Sequence, residues 1–385
     1  MPRSLFTAVA GLQSHQQRMD VLADNISNAN TVGFKGSRMT FIESFNQTMR
    51  PPSDNQPVGI QIGLGNQISA VAQQFSQGAF QRTGVITDVA ISGEGFMVVQ
   101  DASGTNYFTR DGAFSIDKDG YLITSLGYSL MGPGATWAAR PATGLVADTA
   151  ATDPGTSAPA SVSALRIPNT FVYADTGASG THAIAGTAWA ANTVTVTCAG
   201  HGFSDGDSIS IYNVVPAGYN TTTPVTITVT GVNTFTYTLD TDPGAYVSGG
   251  SATDYRLNTT VSYSIGTDGK ITLFGSQGDS LDAGYLTSAK FSNPQGLLRA
   301  GNNLFSFNSA AGSQSGGSSF SPTDDVRKAG TNGNGTTQSG ALELSNVDMA
   351  DQFTDMIVTQ RGFDANARVI TTADEMLQTL NGLKR

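Results

Sequence analysis

The chain is nearly without cysteine: of 385 residues only Cys198 carries a thiol. One thiol cannot close an intramolecular disulfide, so the fold must be held by packing or by assembly. Charge is scarce as well. Asp, Glu, Lys and Arg make up 13% of the residues, low for an ordinary soluble enzyme. What charge there is runs acidic, with a formal net charge of −10 and no basic run anywhere. That balance argues against a phosphate-binding surface, and with it against a nucleic-acid partner. No stretch approaches the roughly 18 apolar residues of a membrane span, so no membrane insertion is expected. The opening Met1-Pro2-Arg3-Ser4-Leu5-Phe6-Thr7 has one basic residue and no apolar h-region, and does not read as a cleavable signal. By these rules alone the chain reads as cytoplasmic.

Catalytic constellations are missing too. Three histidines occur, His15, His182 and His201. Cys198 and His201 have a C-x-x-H spacing without the second ligand pair that zinc needs, and a surface loop is expected there. Asp117-Lys118-Asp119-Gly120 begins like a calcium loop, but Tyr128 stands where the twelfth-position Glu should be, so a hairpin turn is expected. Gly93-Glu94-Gly95 and Gly63-Leu64-Gly65 lack the remainder of a dinucleotide fingerprint. Asp324-Asp325 sits in a Gly/Ser-rich stretch where a solvated role is expected. Asp374 and Glu375 fall near the end of a helix and suit register or solubility. No enzyme, cofactor or metal site is expected.

What the sequence does have is Gly, 45 residues of it, with Ser, Thr, Asn and Ala filling the middle. Such a composition suits short strands joined by tight turns. Alternating segments read as strands: 85–91, 95–99, 107–110, 192–197, 207–211, 225–229 and 234–239. Asp101-Ala102-Ser103-Gly104 and 117–120 read as hairpin turns. Residues 133–164 read as a linker or surface loop, and 309–340 are again rich in Gly, Ser, Asn and Thr. The even strand spacing in 186–253 predicts a small barrel or sandwich.

The two ends have a different period. From residue 1 to about 30, Leu5, Leu12, Met19 and Ile26 recur every seven residues, with Val9 and Leu22 in the same stripe. At the other end Met349, Met356, Phe363, Ile370 and Leu377 recur every seven, flanked by Phe353, Ala367, Ala373 and Leu380. Ser345-Asn346-Val347-Asp348 supplies capping residues ahead of that second helix. A strict seven-residue repeat favours helix-on-helix contact over helix-on-sheet contact. The helices can pack on each other, on copies in neighbouring subunits, or back on a β body. The fold class expected is α+β, mainly β, with coiled-coil-like terminal helices.

Three separated motifs carry a resemblance. Residues 22–35, Leu-Ala-Asp-Asn-Ile-Ser-Asn-Ala-Asn-Thr-Val-Gly-Phe-Lys, resemble the N-terminal signature of the flagellar basal-body rod and hook proteins. Within it stand Asn25, Asn28, Asn30, Gly33, Phe34 and Lys35. Residues 340–348 and 360–377 resemble the family's C-terminal signature, with Gln360, Arg361, Asn366, Thr371, Thr372 and Ala373. Residues 88–96 followed by 107–114 give a third match, in the correct order. Within the family, Gly63-Leu64-Gly65 and Phe75-Ser76-Gln77-Gly78 are similar to the hook form; a distal rod protein is the alternative. The segment 198–207 looks instead like small β modules of phage tail and surface proteins, and a β-rich adhesin-like binding protein is a further alternative.

The resemblance implies a nested layout. Residues 1–75 and 330–385 would form the axial helical domain, 76–145 and 285–329 a β-rich middle domain, and 146–284 an outer β domain holding a small module at 186–253. It implies a homopolymer that contacts rod and hook–filament junction proteins and a hook cap. It also implies export through the flagellar type III apparatus without a cleaved signal, which replaces the cytoplasmic reading with an extracellular flagellar one. Asn25, Asn28, Asn30 and Gly33 would form the helix exit, taking left-handed geometry.

Overall fold

A computed structural model describes residues 3–50, 60–134, 136–140, 144–149, 162–174, 182–221, 225–276, 278, 280–317 and 319–382. Mainly β, it opens and closes on a long helix: α1, Arg3–Ser27, and α2, Met349–Gly382. Helix α2 starts where the capping residues predict. Asp348 accepts hydrogen bonds through Oδ1 from the amides of Ala350 (2.8 Å) and Asp351 (3.3 Å), which satisfies first-turn donors that would otherwise have no partner.

The exit of α1 differs from expectation at three of four positions. Among Asn25, Asn28, Asn30 and Gly33 only Gly33 takes a positive φ, +68°. There a Cβ would stand 2.5 Å from the Asp111 amide nitrogen. Asn28 instead donates back to the Asp24 carbonyl at 2.9 Å, closing the last turn. Asn25 lies inside the helix, buried, and bonds both backbone groups of Ser37 at 2.8 Å. A short amide side chain serves the backbone here, so left-handed geometry is needed only once.

From α1 the chain runs into a long antiparallel ribbon, Ser37–Glu43 against Asn66–Gln73, continued by Asn46–Arg50 against Ile60–Gly63. It then enters a 10-stranded sheet, whose main path runs Leu298–Gly301, Leu304–Ser306, Asn106–Thr109, Phe96–Gln100, Ser129–Gly132, Leu122–Thr124, Phe114–Ile116. This sheet is covered on both faces. Met97 and Val99 enter one core with Leu130, Leu165 and Leu273, while Phe96 and Val98 enter a second with Phe108, Phe291 and Phe305. Period-two geometry sends successive side chains to opposite cores, which is why 96–99 is apolar throughout.

The turns at 101–104 and 117–120 form as expected, with Gly104 and Gly120 both at φ +87°. The strand expected over 85–91 begins only at Val89, because Val85 to Asp88 closes a turn. The region expected as linker contains a hairpin, Thr136–Arg140 against Gly144–Thr149; residues 135, 141–143 and 150–161 fall outside the description.

Beyond that hairpin lies a 9-stranded sheet organised on one 18-residue strand, Ser248–Ile265. A four-stranded sheet, Gly186–Ala190, Thr193–Thr197, Thr234–Thr238 and Thr228–Gly231, sits beside it. Its alternation is clean: Val194, Val196, Phe235 and Tyr237 are buried, and threonines alternate with them. They join Ile184, Ile209, Ile211, Ile227 and Ala252 in a third core.

Cys198 and His201 belong to that core and not to a surface loop, a correction to the expectation. Both are buried. Cys198 Sγ lies 3.4 Å from the Ala183 carbonyl, and burial pushes the thiol up to about 11. Both ring nitrogens of His201 face backbone groups, Gly231 O at 3.2 Å and Phe203 N at 3.1 Å, and its ring stacks on Phe203. Asp325 is likewise buried: it accepts the amides of Ser315 and Ser321, each at 2.9 Å, while Asp324 stays exposed. A carboxylate that organises two loop amides needs no solvent.

Candidate assembly interface and its anchor

The two terminal helices run antiparallel, and their contact is small and polar. Gly11 faces Asn366: a Cβ there would stand 2.6 Å from Asn366 Nδ2. Gly362 faces His15, with a Cβ 2.7 Å from the ring. Arg18 pairs with Asp355 at 3.2 Å, and Asn25 donates to Gln352 at 2.9 Å. Thr359 and Ala373 are almost fully buried. Thus Gln352, Thr359, Asn366 and Ala373, themselves seven apart, lie toward α1. Gly11 and Gly362, which have no side chain, let the backbones approach closely.

The apolar repeat occupies the flanks of this seam. Leu22 is buried, and Leu5, Leu12, Met19, Ile26, Met356, Phe363 and Ile370 are half-buried. Val9, Met349, Phe353 and Leu377 are exposed; the side chain of Leu380 falls outside the description. Apolar residues outside the seven-residue repeat are exposed beside them: Phe6 at 64%, Ile357 at 52%, Val358 at 57%, Met376 at 61%. Of the signature residues, Gln360, Arg361, Thr371 and Thr372 are exposed, and both threonines bond the Arg368 carbonyl at 2.9 Å. Asn30 is exposed as well.

The bases of the helices are anchored by a buried charge cluster. Glu343 holds Lys35 Nζ at 2.6 Å through Oε1 and Arg110 Nη1 at 3.1 Å through Oε2, with the side chains at most 5% exposed. Oε1 also accepts the Gly78 amide at 2.9 Å. Lys35 donates to the Ser76 carbonyl, and Arg110 to those of Ile91 and Gly93. Burial draws the Lys35 ammonium below its ordinary value, Glu343 pulls it upward and Arg110 adds to the lowering. Arg110 is lowered chiefly by burial, with Glu343 opposing.

Further ties surround this cluster. Asn346 accepts the Gly36 amide and donates to the Gln74 carbonyl. Arg299 lies over the buried Phe34 ring and pairs with Asp24 at 3.1 Å. Sequence reading singled out Lys35 but not Arg110 or Glu343. Their signal was available only as membership of the three motifs, whose meeting point is this cluster.

Those motifs coincide with family matches. Residues 5–35 match the family described as flagella basal body rod protein, 90–181 the flagellar hook protein FlgE/F/G D1 domain, and 338–383 the flagellar basal body rod FlgEFG protein C-terminal family. Over the full length of both chains, the protein is 31% identical to the flagellar hook protein FlgE of Borreliella burgdorferi. The chain belongs to the flagellar hook and basal-body rod family.

Two more members of the family align over the full length of both chains. Identity is 32% to the hook protein FlgE of Treponema pallidum and 29% to the basal-body rod protein FlgG of Bacillus subtilis. The family is structural, and the terminal matches fall on α1 and α2 with the segments that anchor them.

Proposed function

We propose that this chain is a structural subunit of the flagellar hook, assembling with copies of itself into a tubular joint that bends while transmitting torque from rod to filament. The observation that carries this reading is the helix pair. Its internal seam is small and polar, while Phe6, Val9, Phe353, Ile357, Val358 and Met376 stand uncovered around it. Covering each such side chain stabilises an assembly by up to about 1.5–3 kcal/mol. Copies of the same helices are the natural cover, and Met349 and Leu377 join this outward set. The half-buried Leu5, Leu12, Met19, Ile26, Met356, Phe363 and Ile370 would be shared between the seam and its neighbours.

The nested layout is part of the proposal: an axial unit from 1–75 and 330–385, a middle unit from 76–145 and 285–329, and an outer unit from 146–284. The core around Phe235, drawn wholly from 184–252, supports an inserted module, while the core around Leu130 takes in Leu165 and Leu273 from the outer range as well. Partners follow from the place in the flagellum: rod and hook–filament junction proteins at the two ends, a cap during growth, and the type III export apparatus. No catalysis, cofactor or metal enters this role.

Hook–basal bodies carrying an epitope within 186–253 test the assignment by electron microscopy. Label along a curved tube is expected. Label confined to the straight shaft would make the chain a distal rod protein, the reading favoured by its full-length likeness to the Bacillus subtilis FlgG. No label on either would sink both.

A further inference from the structure

Lys35, Arg110 and Glu343 come from segments far apart in the chain, and none of the three reaches water to any extent. Two cations share one carboxylate, so the cluster carries a net positive charge, and Arg110 Nε is buried without a hydrogen-bond partner. Glu343 is therefore indispensable to both. Removing Glu343 strands two buried cations, whereas removing either cation still leaves an ion pair, so the cluster stands or falls with Glu343. Backbone bonds tie the same segments together: Gly33 N to Glu343 O at 2.8 Å, and Leu344 N to Ala79 O at 2.8 Å. Arg110 also lies 5.4 Å from the Phe96 ring centre, which attaches the cluster to the central sheet.

Beyond this point the hold weakens. Among the described residues the helices meet through glycines, amides and one ion pair, Arg18–Asp355, whose partners are 29% and 49% exposed. An exposed pair contributes little.

We infer that the Lys35–Glu343–Arg110 cluster marks the limit of order in the free subunit: the terminal segments are folded onto the β body as far as residues 33–36 and 339–348 before assembly, and only the helices beyond await neighbouring copies. This rests on the reading that the helices complete their burial in the polymer, and it divides the termini into a pre-assembled base and an assembling shaft. The base would then present the two helices at a set separation, so that assembly has only to order the shaft.

Hydrogen exchange on the unassembled full-length chain tests it. In the unaltered protein the amides of Gly33, Gly36, Gly78 and Leu344 should be protected alongside Val98 and Phe108 of the central sheet, while residues 8–20 and 355–375 exchange at least about a hundredfold faster. In Glu343→Gln the four junction amides should lose protection by about a hundredfold or more, with Val98 and Phe108 unchanged. In Arg299→Ala, which removes an exposed tie, the junction should hold. The inference is overturned if the junction amides exchange with the helices in the unaltered chain, or if Glu343→Gln leaves them protected. It is overturned equally if Glu343→Gln exposes the central sheet, which would make the cluster part of the body. These measurements need no tube, so failure of the hook assignment and failure of this inference are told apart.

Discussion

Where α1 crosses α2, His15 and Gly362 decide how near the two backbones come. Two effects oppose each other at Gly362. Alanine in a helix interior is favoured over glycine by about 1 kcal/mol, but its methyl would meet the His15 ring at 2.7 Å, and overpacking of that kind costs about 1–3 kcal/mol. Gly362→Ala should therefore lower the melting temperature of assembled tubes, and adding His15→Ala should restore it or raise it above the starting value. A rise from the single substitution would show that the ring moves aside freely. His15 also sets a pH dependence. Burial lowers its pKa from the ordinary 6.5, and Arg18 on the same helix adds to the lowering, while Asp355 across the seam is engaged by Arg18. The unfolded state takes up its proton first as pH falls, so this contribution is complete above 6.5 and is lost below it, toward the folded-state value. Tubes should lose heat stability as the pH falls below about 6.5, and His15→Gln should shrink that loss. An equal loss in the variant would place the titration elsewhere.

At the scale of the element, the seven-residue repeats located both helices, and the capping residues located the start of the second, but the repeats left open which side faces inward. Hydrophobic periodicity registers Met349, Phe353 and Leu377 and passes over Gln352, Thr359 and Asn366, which with the flanking Ala373 repeat at the same spacing and line the seam. A seam of small and polar groups has no hydrophobic signature, although glycines at 11 and 362 are what such close contact requires. Cys198, His201 and Asp325 lie inside, which the sequence hides for a related reason: polar residues are expected at the surface unless their partners are known, and those partners are backbone groups that only the folded loops bring into reach. The outward apolar positions give the sharper test. Phe353→Asp with Ile357→Asp should abolish tube formation, because each position would set a charge against an apolar neighbour. The soluble subunit should keep the melting temperature of its β body, since neither side chain touches that core. Tubes formed by this double variant would remove the helix faces from the assembly account.

Across the whole molecule, the three family motifs made the flanking segments and much of the central sheet legible, whereas the order in which strands pair was not. Ser248–Ile265 shows why: one continuous strand begins in the inserted module, pairs with Ser208–Val215, then with Thr170–Ala174, and ends against Lys270–Gly275 near the first core. Nothing local in its sequence marks the passage from one core to the next. The same strand shows how the module is attached. His182 and Ala183 pair antiparallel with Ala252 and Ser251, so the chain leaves and rejoins the outer sheet at adjacent positions. Replacing residues 184–250 with an Asn-Gly turn would close Ala183 and Ser251 into a two-residue hairpin, a connection that matches strand twist. The cores around Leu130 and Phe108 use no residue from 184–250. The shortened chain should therefore fold, keep the junction at Lys35, Arg110 and Glu343, and still build tubes that support swimming. If the loss of the module unfolds the subunit or halts assembly, then the outer core is an integral part of the axial protein and the nested layout is wrong.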